Sequence, residues 1–520
     1  MNEEKKKILW VDDEIDLLRP HVLFLQNKGY DVKTLTNAED AIEVVRTEDF
    51  DLILLDEMLH GMDGLTALGE LKEINPGLPI IMVTKSEEES LMEEAIGSKI
   101  DDYLTKPVNP SQILLVCKKI LDKRKIAGQI ISRDYTSEFN QISARIMGHM
   151  EWQDWIDIHI KLSEWDVQLD AHPDLGLKQI LYEQKRDCNA EFGRFVEKNY
   201  HDWLHDENGP PLSVDVVPKY VLPHVHAGEN TVMLIIDALR LDQWFILEPL
   251  LRSYFKISRD YYYSILPTAT PYARNAIFAG LFPSDIEEKI PELWQGNKEE
   301  DDVSLNRFEL ELLEEQLKRI KVELKPGPKY AKILDVQESA DMARRINEYS
   351  NAPLSALVLN FVDILAHSRS SSSVIKEMIP NEAAFRSTTR SWFEHSHLYK
   401  AMRKLAEKGN TIVLTSDHGS IRGLHGTKVI GDRETSTSLR YKYGKNIKVS
   451  PKDAMVISNP RDYKLPARGV NTNYIFAKED YYFVYPTNYH YFLNYYADSF
   501  QHGGISLEEM ILPIVTLEPK

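Results

Sequence analysis

Five short apolar runs, separated by stretches of helical spacing, open the chain. ILWVDD (8–13), DLILLDEM (51–58) and LPIIMVTK (78–85) are almost continuously apolar, YDVKTLT (30–36) alternates, and DDYLTKP (101–107) closes on Lys-Pro. Helical spacing fills 14–28, 38–47, 64–74, 87–96 and 110–124, the fourth of these entered through the acidic start SEEES. Continuous apolar runs joined by helices predict a doubly wound, five-stranded parallel sheet covered on both faces, over 1–125. The pattern then changes. Trp155, Ile158, Leu162, Trp165 and Leu169 recur every three or four residues, and Leu181, Cys188, Phe192 and Phe195 make a second stripe. These predict an all-helical connector over 126–205, either a small bundle with a tryptophan core or a lever or dimer seam. The proline-rich DENGPPLSVDVVPKYVLP (206–223) reads as a linker. From 224 to 520 the strand–helix alternation returns, with strands expected at 231–237, 261–266, 355–363 and 411–417. SRSSSS (368–373) is a candidate mobile loop, and the Tyr- and Asn-rich 471–497 reads as strand and loop that packs on or caps a site, its aromatics expected in the core, with stacking on a base as the alternative.

Composition narrows this picture. The 520 residues carry 81 Asp and Glu against 62 Lys and Arg, a net charge of −19, which disfavours broad coating of nucleic acid and a direct DNA-binding role. Two cysteines, Cys117 and Cys188, exclude a disulfide framework or a cysteine-rich zinc module. No apolar run approaches the ~18 residues of a membrane span, and the charged start MNEEKKKILWVDDE lacks the form of a signal peptide. A cytoplasmic protein without membrane insertion is expected.

In an open parallel sheet, chemistry gathers beyond the carboxyl ends of the strands. The first strand ends in Asp12 and Asp13, the third in Asp56, the fourth in Thr84 and the fifth in Lys106. Carboxylates crowded at one rim repel unless a hard cation joins them, and an all-oxygen set suits Mg²⁺. Asp56 can then attack a phosphoryl group, Lys106 pair with the charge it brings and Thr84 donate to one of its oxygens. With WVDDE, LLDEMLHGMDG, VTK and YLTKP in place, this segment resembles the receiver domain of two-component response regulators. The resemblance implies phosphorylation on Asp56, an acidic pair at Asp12 and Asp13, and a switch formed by Thr84, Tyr103 and Lys106. Met58 stands where the family usually has proline, while Gly61 and Gly64 remain.

The second half offers another constellation. Asp237 ends TVMLIID; Thr270 precedes Pro271 and is expected to cap a helix; Asp363 ends SALVLNFVD with His367 four residues on; Asp417 and His418 lie in TSDHG; and His502 lies in QHGG. Imidazoles and carboxylates without thiolate suit an open zinc or manganese site. Asp237, Thr270, Asp417 and His418 form one candidate Zn²⁺ set, and Asp363, His367 and His502 a second. Two ions about 4 Å apart can clamp a phosphoryl transfer and activate Thr270 as its nucleophile. Asn275, Arg274 and His425 are candidates to bind a non-bridging oxygen. The order strand–Asp, Thr at a helix start, Asp-x-x-x-His, Asp-His-Gly, late His resembles the alkaline phosphatase superfamily, in its PglZ-type branch, over about 224–520. The resemblance implies a metal-dependent phosphodiesterase or phosphatase, with small phosphodiesters such as linear or cyclic oligonucleotides as substrates.

Receiver, helical connector and PglZ-type effector in one chain resemble the response regulators of type IX secretion and gliding. That resemblance implies a histidine kinase as phosphodonor, a homodimer on phosphorylation, and a sigma factor or secretion-system protein as partner. The alternative is an effector that docks such a partner without catalysis.

Overall fold

In the computed structural model, which describes residues 5–85, 100–121, 123–205, 208–294, 306–432, 438–467 and 471–520, the five apolar runs of the first segment become five parallel strands. They are β1 (Lys7–Val11), β2 (Asp31–Leu35), β3 (Leu52–Asp56), β4 (Ile80–Thr84) and β5 (Asp102–Thr105), in the order β2-β1-β3-β4-β5. Ile8, Leu9, Trp10 and Val11 are all buried because both faces of β1 are covered, which is why no alternation shows. Helices Ala38–Thr47 and Gly64–Ile74 start on Asn37 and Asp63, whose side chains accept from the backbone N–H three residues on. The first helix begins at Arg19, later than its spacing predicts. The helix expected near 87–96 lies outside the described residues.

The chain divides into two compact units between Thr136 and Ser137, inside the helix Lys123–Ile146. Helices Trp152–Asp170 and Lys178–Trp203 follow within the second unit. They do not close on themselves as a separate bundle. Trp155 meets Phe192 at 5.4 Å between ring centroids, and Phe192 meets Tyr263 at 6.0 Å. Asn189 receives the Leu507 N–H at 2.8 Å and donates to Glu508 at 3.0 Å. The proline-rich stretch is packed as well, with Val216, Val217, Val221 and Leu222 buried.

The second unit is built on a six-stranded sheet: β6 (Thr231–Ile236), β7 (Phe255–Tyr263), β8 (Lys329–Ile333), β9 (Leu354–Leu359), β10 (Thr411–Thr415) and the C-terminal strand Ile511–Pro519. The order is β7–C-terminal strand–β10–β6–β9–β8. β10, β6, β9 and β8 run parallel, whereas the C-terminal strand is antiparallel to both its neighbours, so the sheet is mixed rather than parallel throughout. SRSSSS is helical instead of a loop: it spans the end of helix Phe361–Ser371 and the start of helix Ser373–Met378. The stretch 471–497 contains strands Thr472–Ala477 and Tyr481–Val484 and then a helix, Tyr489–Tyr496, none of whose residues is buried.

Candidate functional site

The receiver-end acids meet at the carboxyl edge of their sheet. Asp12 follows β1 and Asp56 ends β3, both buried. The Lys106 ammonium donates to Asp12 Oδ2 and to Asp56 Oδ2, each at 2.8 Å. Asp13 is partly buried and is paired with the exposed His60 ring. Oxygens of Asp12, Asp13 and Asp56 lie within 4.8 Å of one another, a donor set that fits a hard divalent cation. Burial, reinforced by the Asp12 charge, pushes the Asp56 carboxyl up despite the Lys106 hydrogen bond. Burial also works against the Lys106 ammonium, but its bonds to Asp12 and Asp56 outweigh it and raise its pKa. Gly64 explains the tight closure of this rim: a Cβ there would sit 2.2 Å from the Asp56 carbonyl oxygen. Thr84 ends β4 and donates to the Glu57 carboxylate, while Tyr103 on β5 is 40% exposed.

The effector residues come from five places in the chain. Asp237 directly follows β6, and Asp417 and His418 follow β10, its parallel neighbour. Gly419 lets this turn pass under the chain at Glu508, because a Cβ would lie 1.8 Å from the Glu508 carbonyl oxygen. Thr270 is the first residue of helix Thr270–Ala279, with Ala269 the extended residue before it; the expected cap position is thus off by one. Asp363 lies in the first turn of helix Phe361–Ser371 rather than at a strand end, since β9 stops at Leu359. His367 is one turn further on, and His502 follows strand Ser499–Gln501.

These side chains converge. The oxygens and nitrogens offered by Asp237, Asp417 and His418 lie within 4.8 Å of one another, as do those of Asp363, His367 and His502. Thr270 Oγ1 is 3.0 Å from His418 Nε2. His418 Nδ1 faces the Gly419 carbonyl at 3.0 Å, so Nδ1 carries the proton and the Nε2 lone pair accepts from the Thr270 hydroxyl. His502 Nε2 is 3.2 Å from His367 Nε2 and 3.6 Å from Asp363 Oδ1. The rings of His418 and His502 stack at 4.2 Å, so the two sets share a wall.

Arg274 and the histidines compensate part of the negative charge in this pocket and hold the Asp417 and Asp363 carboxyls below the usual carboxylate range, against the cost of burial. Asp237 Oδ1, Asp363 Oδ1 and Asp417 Oδ1 are buried without a hydrogen-bond partner, which is costly unless a cation takes up their lone pairs. The donor set fits divalent metal: carboxylate oxygens, imidazole nitrogens and a hydroxyl, all aimed inward. Burial pushes the Asp237 carboxyl up to about 7, with Asp417 and Asp363 adding to the effect against Arg274. Burial disfavours the His418 imidazolium, yet Asp417, Asp237 and Asp363 together raise its pKa. His502 is pushed down to about 3 by burial and by neighbouring His418.

The three candidates for a non-bridging oxygen are already engaged, His425 through Nδ1 alone. Arg274 is wholly buried and bound to carboxylates, Asn275 donates to the Pro271 carbonyl and accepts from Asn306, and the His425 ring is paired with Asp480 at 2.7 Å. The sequence reading missed Asn360, which donates to Asp237 Oδ2 at 2.7 Å, and Glu309, which lies beneath Arg274. Asn360 had a signal, its place at the end of β9; Glu309 had none.

A family model described as a BREX system PglZ alkaline phosphatase-like domain matches residues 216–517. Models of a response regulator receiver domain and of a PorX response regulator linker domain match 8–118 and 125–204. The chain is similar to the alkaline phosphatase synthesis transcriptional regulatory protein PhoP of Bacillus subtilis, 38% identical over 124 residues, which cover 24% of this chain and 51% of PhoP. It is also similar to the transcriptional regulatory protein ZraR of Klebsiella oxytoca, 30% identical over 142 residues, covering 27% of this chain and 32% of ZraR. The chain thus spans about half or less of the length of these two relatives. A solved CheY-like receiver from Methanospirillum hungatei JF-1 is 32% identical and covers 23% of this chain and 96% of its own, with a TM-score of 0.23. Among the described residues no helix is long and apolar enough to cross a membrane. With more than half its length matched around the Thr270 pocket, the chain belongs to the PglZ alkaline phosphatase-like family, and it joins that domain to a response regulator receiver built around Asp56.

Proposed function

We propose that this protein is a response regulator whose PglZ-type domain is a zinc-dependent phosphodiesterase under the control of Asp56 phosphorylation. Residues 1–125 receive the phosphoryl group from a histidine kinase, 126–205 and 206–223 connect, and 224–520 carry the chemistry. The acids Asp12, Asp13 and Asp56 hold Mg²⁺, and Thr84, Tyr103 and Lys106 respond to the new charge. In the effector, Asp237, Thr270, Asp417 and His418 hold one Zn²⁺, and Asp363, His367 and His502 a second. By resemblance, the substrates are linear or cyclic oligonucleotides and the setting is type IX secretion and gliding. A homodimer on phosphorylation, and a sigma factor or secretion-system protein as partner, belong to the same reading.

The observation that carries it is the set of three buried carboxylate oxygens that accept no hydrogen bond, arranged with a threonine hydroxyl and three imidazoles. Bound divalent ions would supply Lewis acidity and lower the pKa of the Thr270 hydroxyl. Thr270 Oγ then forms the new bond to phosphorus while the ester oxygen departs, and water cleaves the threonyl ester in a second displacement. Thr270 opens its helix, and the N-terminus of a helix favours a bound anion. The lone pair of His418 that accepts from Thr270 is the one a cation would use, so hydroxyl and imidazole are aimed at a common point.

Thr270→Ala should lower turnover of a bis-nitrophenyl phosphodiester by on the order of 10³-fold or more, with fold and Asp56 phosphorylation intact. Retained turnover in that variant would remove Thr270 from the role of nucleophile.

A further inference from the structure

One helical turn beyond Thr270, on the same face of the same helix, lies Arg274. It is fully buried and touches three acids. Its Nη2 pairs with Asp237 Oδ2, its Nε donates to Asp417 Oδ2 at 2.9 Å, and its Nη1 lies 3.5 Å from Glu309 Oε1. In both aspartates the oxygen engaged is Oδ2, and in both Oδ1 is buried with no hydrogen-bond partner. Asn360 reinforces the pattern by donating to the same Oδ2 of Asp237. The free Oδ1 of Asp237 lies 3.5 Å from His418 Nε2, on the side of the pocket where Thr270 sits.

Resting on the metal reading above, we propose that Arg274 is a positioning residue. It fixes Asp237 and Asp417 as one-oxygen ligands and pins the Thr270 helix in register with them. Two carboxylates that end neighbouring parallel strands would otherwise repel, and each could turn to offer either oxygen or both. A planar guanidinium presents donors at fixed angles and can hold two carboxylates at once; an ammonium is a point charge on a flexible stem. Because Arg274 and Thr270 share a helix, the same contacts set the depth at which the threonine hydroxyl meets the ligands. Glu309, itself fully buried and bonded to the Tyr330 hydroxyl, anchors the guanidinium from below. Lys332, 3.8 Å from Glu309, helps to balance that side. Nothing in this arrangement requires Arg274 to touch substrate.

The test is metal binding by the full chain, independent of turnover. Zn²⁺ affinity is read by competition with a chromophoric chelator, and ligand geometry by the visible spectrum of the Co²⁺-loaded protein. Two variants are compared with the parent: Arg274→Lys, and Arg274→Met with Glu309→Gln, which removes both buried charges together. Circular dichroism establishes that each is folded, and if either fails to fold the other decides. The expected result is one ion weakened about 10- to 100-fold, the range for loss of a group that orients a ligand, with the other ion unaffected. The Co²⁺ band should also weaken as a released carboxylate binds through both oxygens. Folded variants that keep both ions at parental affinity would overturn the proposal, and so would equal weakening of both ions. If the parent binds no divalent ion, the metal assignment itself falls.

Discussion

Each half of the molecule places two buried carboxylates beyond the carboxyl ends of parallel strands, and each bridges them with one cation. In the receiver, Lys106 spans Asp12 and Asp56 with two hydrogen bonds of 2.8 Å; in the effector, Arg274 spans Asp237 and Asp417. Each pocket is also closed by a glycine that leaves no room for a Cβ, Gly64 against Asp56 and Gly419 against Glu508. The difference is in the cation. Lys106 keeps part of its side chain in contact with solvent and hangs on a flexible stem, so it can shift when a phosphoryl group arrives on Asp56. Arg274 has no exposure and is held on three sides. On the proposed function, the pocket that changes state uses a movable point charge, and the pocket that keeps its shape through turnover uses a rigid fork.

The largest effect that can break this comparison is removal of the receiver nucleophile. Asp56→Asn should abolish phosphorylation by an acyl phosphate donor, followed by phosphate-affinity electrophoresis, and leave effector metal content unchanged. Loss of effector metal in that variant would mean that the two pockets are not built independently. A smaller effect follows from the depth of burial in the second unit. His159 is fully buried, neither ring nitrogen has a hydrogen-bond partner, and burial pushes its pKa down to about 4 from the ordinary 6.5. The folded protein therefore binds fewer protons than the unfolded chain over that interval. The corresponding stability is present above about pH 6.5 and is lost as pH falls toward about 4, to the extent of about 3 kcal/mol. His159→Leu should flatten this acid limb, as read from urea midpoints at pH 7 and pH 4.5. An unchanged slope would assign the limb to other groups.

How far the sequence foretold these pockets depended on whether a residue's role is local. Asp12, Asp56, Thr84 and Asp237 stand at the ends of apolar runs, and a run that stops in an acid is visible without knowing its neighbours. Asp363 and His367 were legible as a pair because their spacing is helical, although the strand before them ends earlier than its apolar run. The C-terminal strand was not legible: ILPIVTLEP contains Pro513, a residue that argues against a strand between two others, yet it lies between β7 and β10. The aromatics of 471–497, expected in the core, are there at Tyr474, Phe476, Tyr482 and Phe483, but in the helix Tyr489–Tyr496 composition misleads, since Tyr491 and Tyr495 stack on each other at the surface. Arg274 was seen only as a possible phosphate contact, because its partners are strand ends remote in sequence and a glutamate with no motif around it.

The finest test of the comparison lies in the receiver. If its pocket is built to move, the groups that must turn should be held weakly in the unphosphorylated form. The Thr84 hydroxyl donates to the Glu57 carboxylate, one residue past the phosphoacceptor, so it must leave that partner to reach a phosphoryl oxygen on Asp56. A hydrogen bond to a charged acceptor contributes about 1.5–3 kcal/mol when shielded, and Glu57 is only half-buried, which brings the expected value to about 1 kcal/mol. Glu57→Gln replaces a charged acceptor by a neutral one of the same shape. It should lower the acyl phosphate concentration needed for half-maximal phosphorylation by roughly fivefold, since about 1 kcal/mol is somewhat less than a decade in an equilibrium. A variant that needs as much donor as the parent, or more, would show that Thr84 is not restrained by Glu57. The contrast between a movable receiver pocket and a fixed effector pocket would then rest on Lys106 and Arg274 alone.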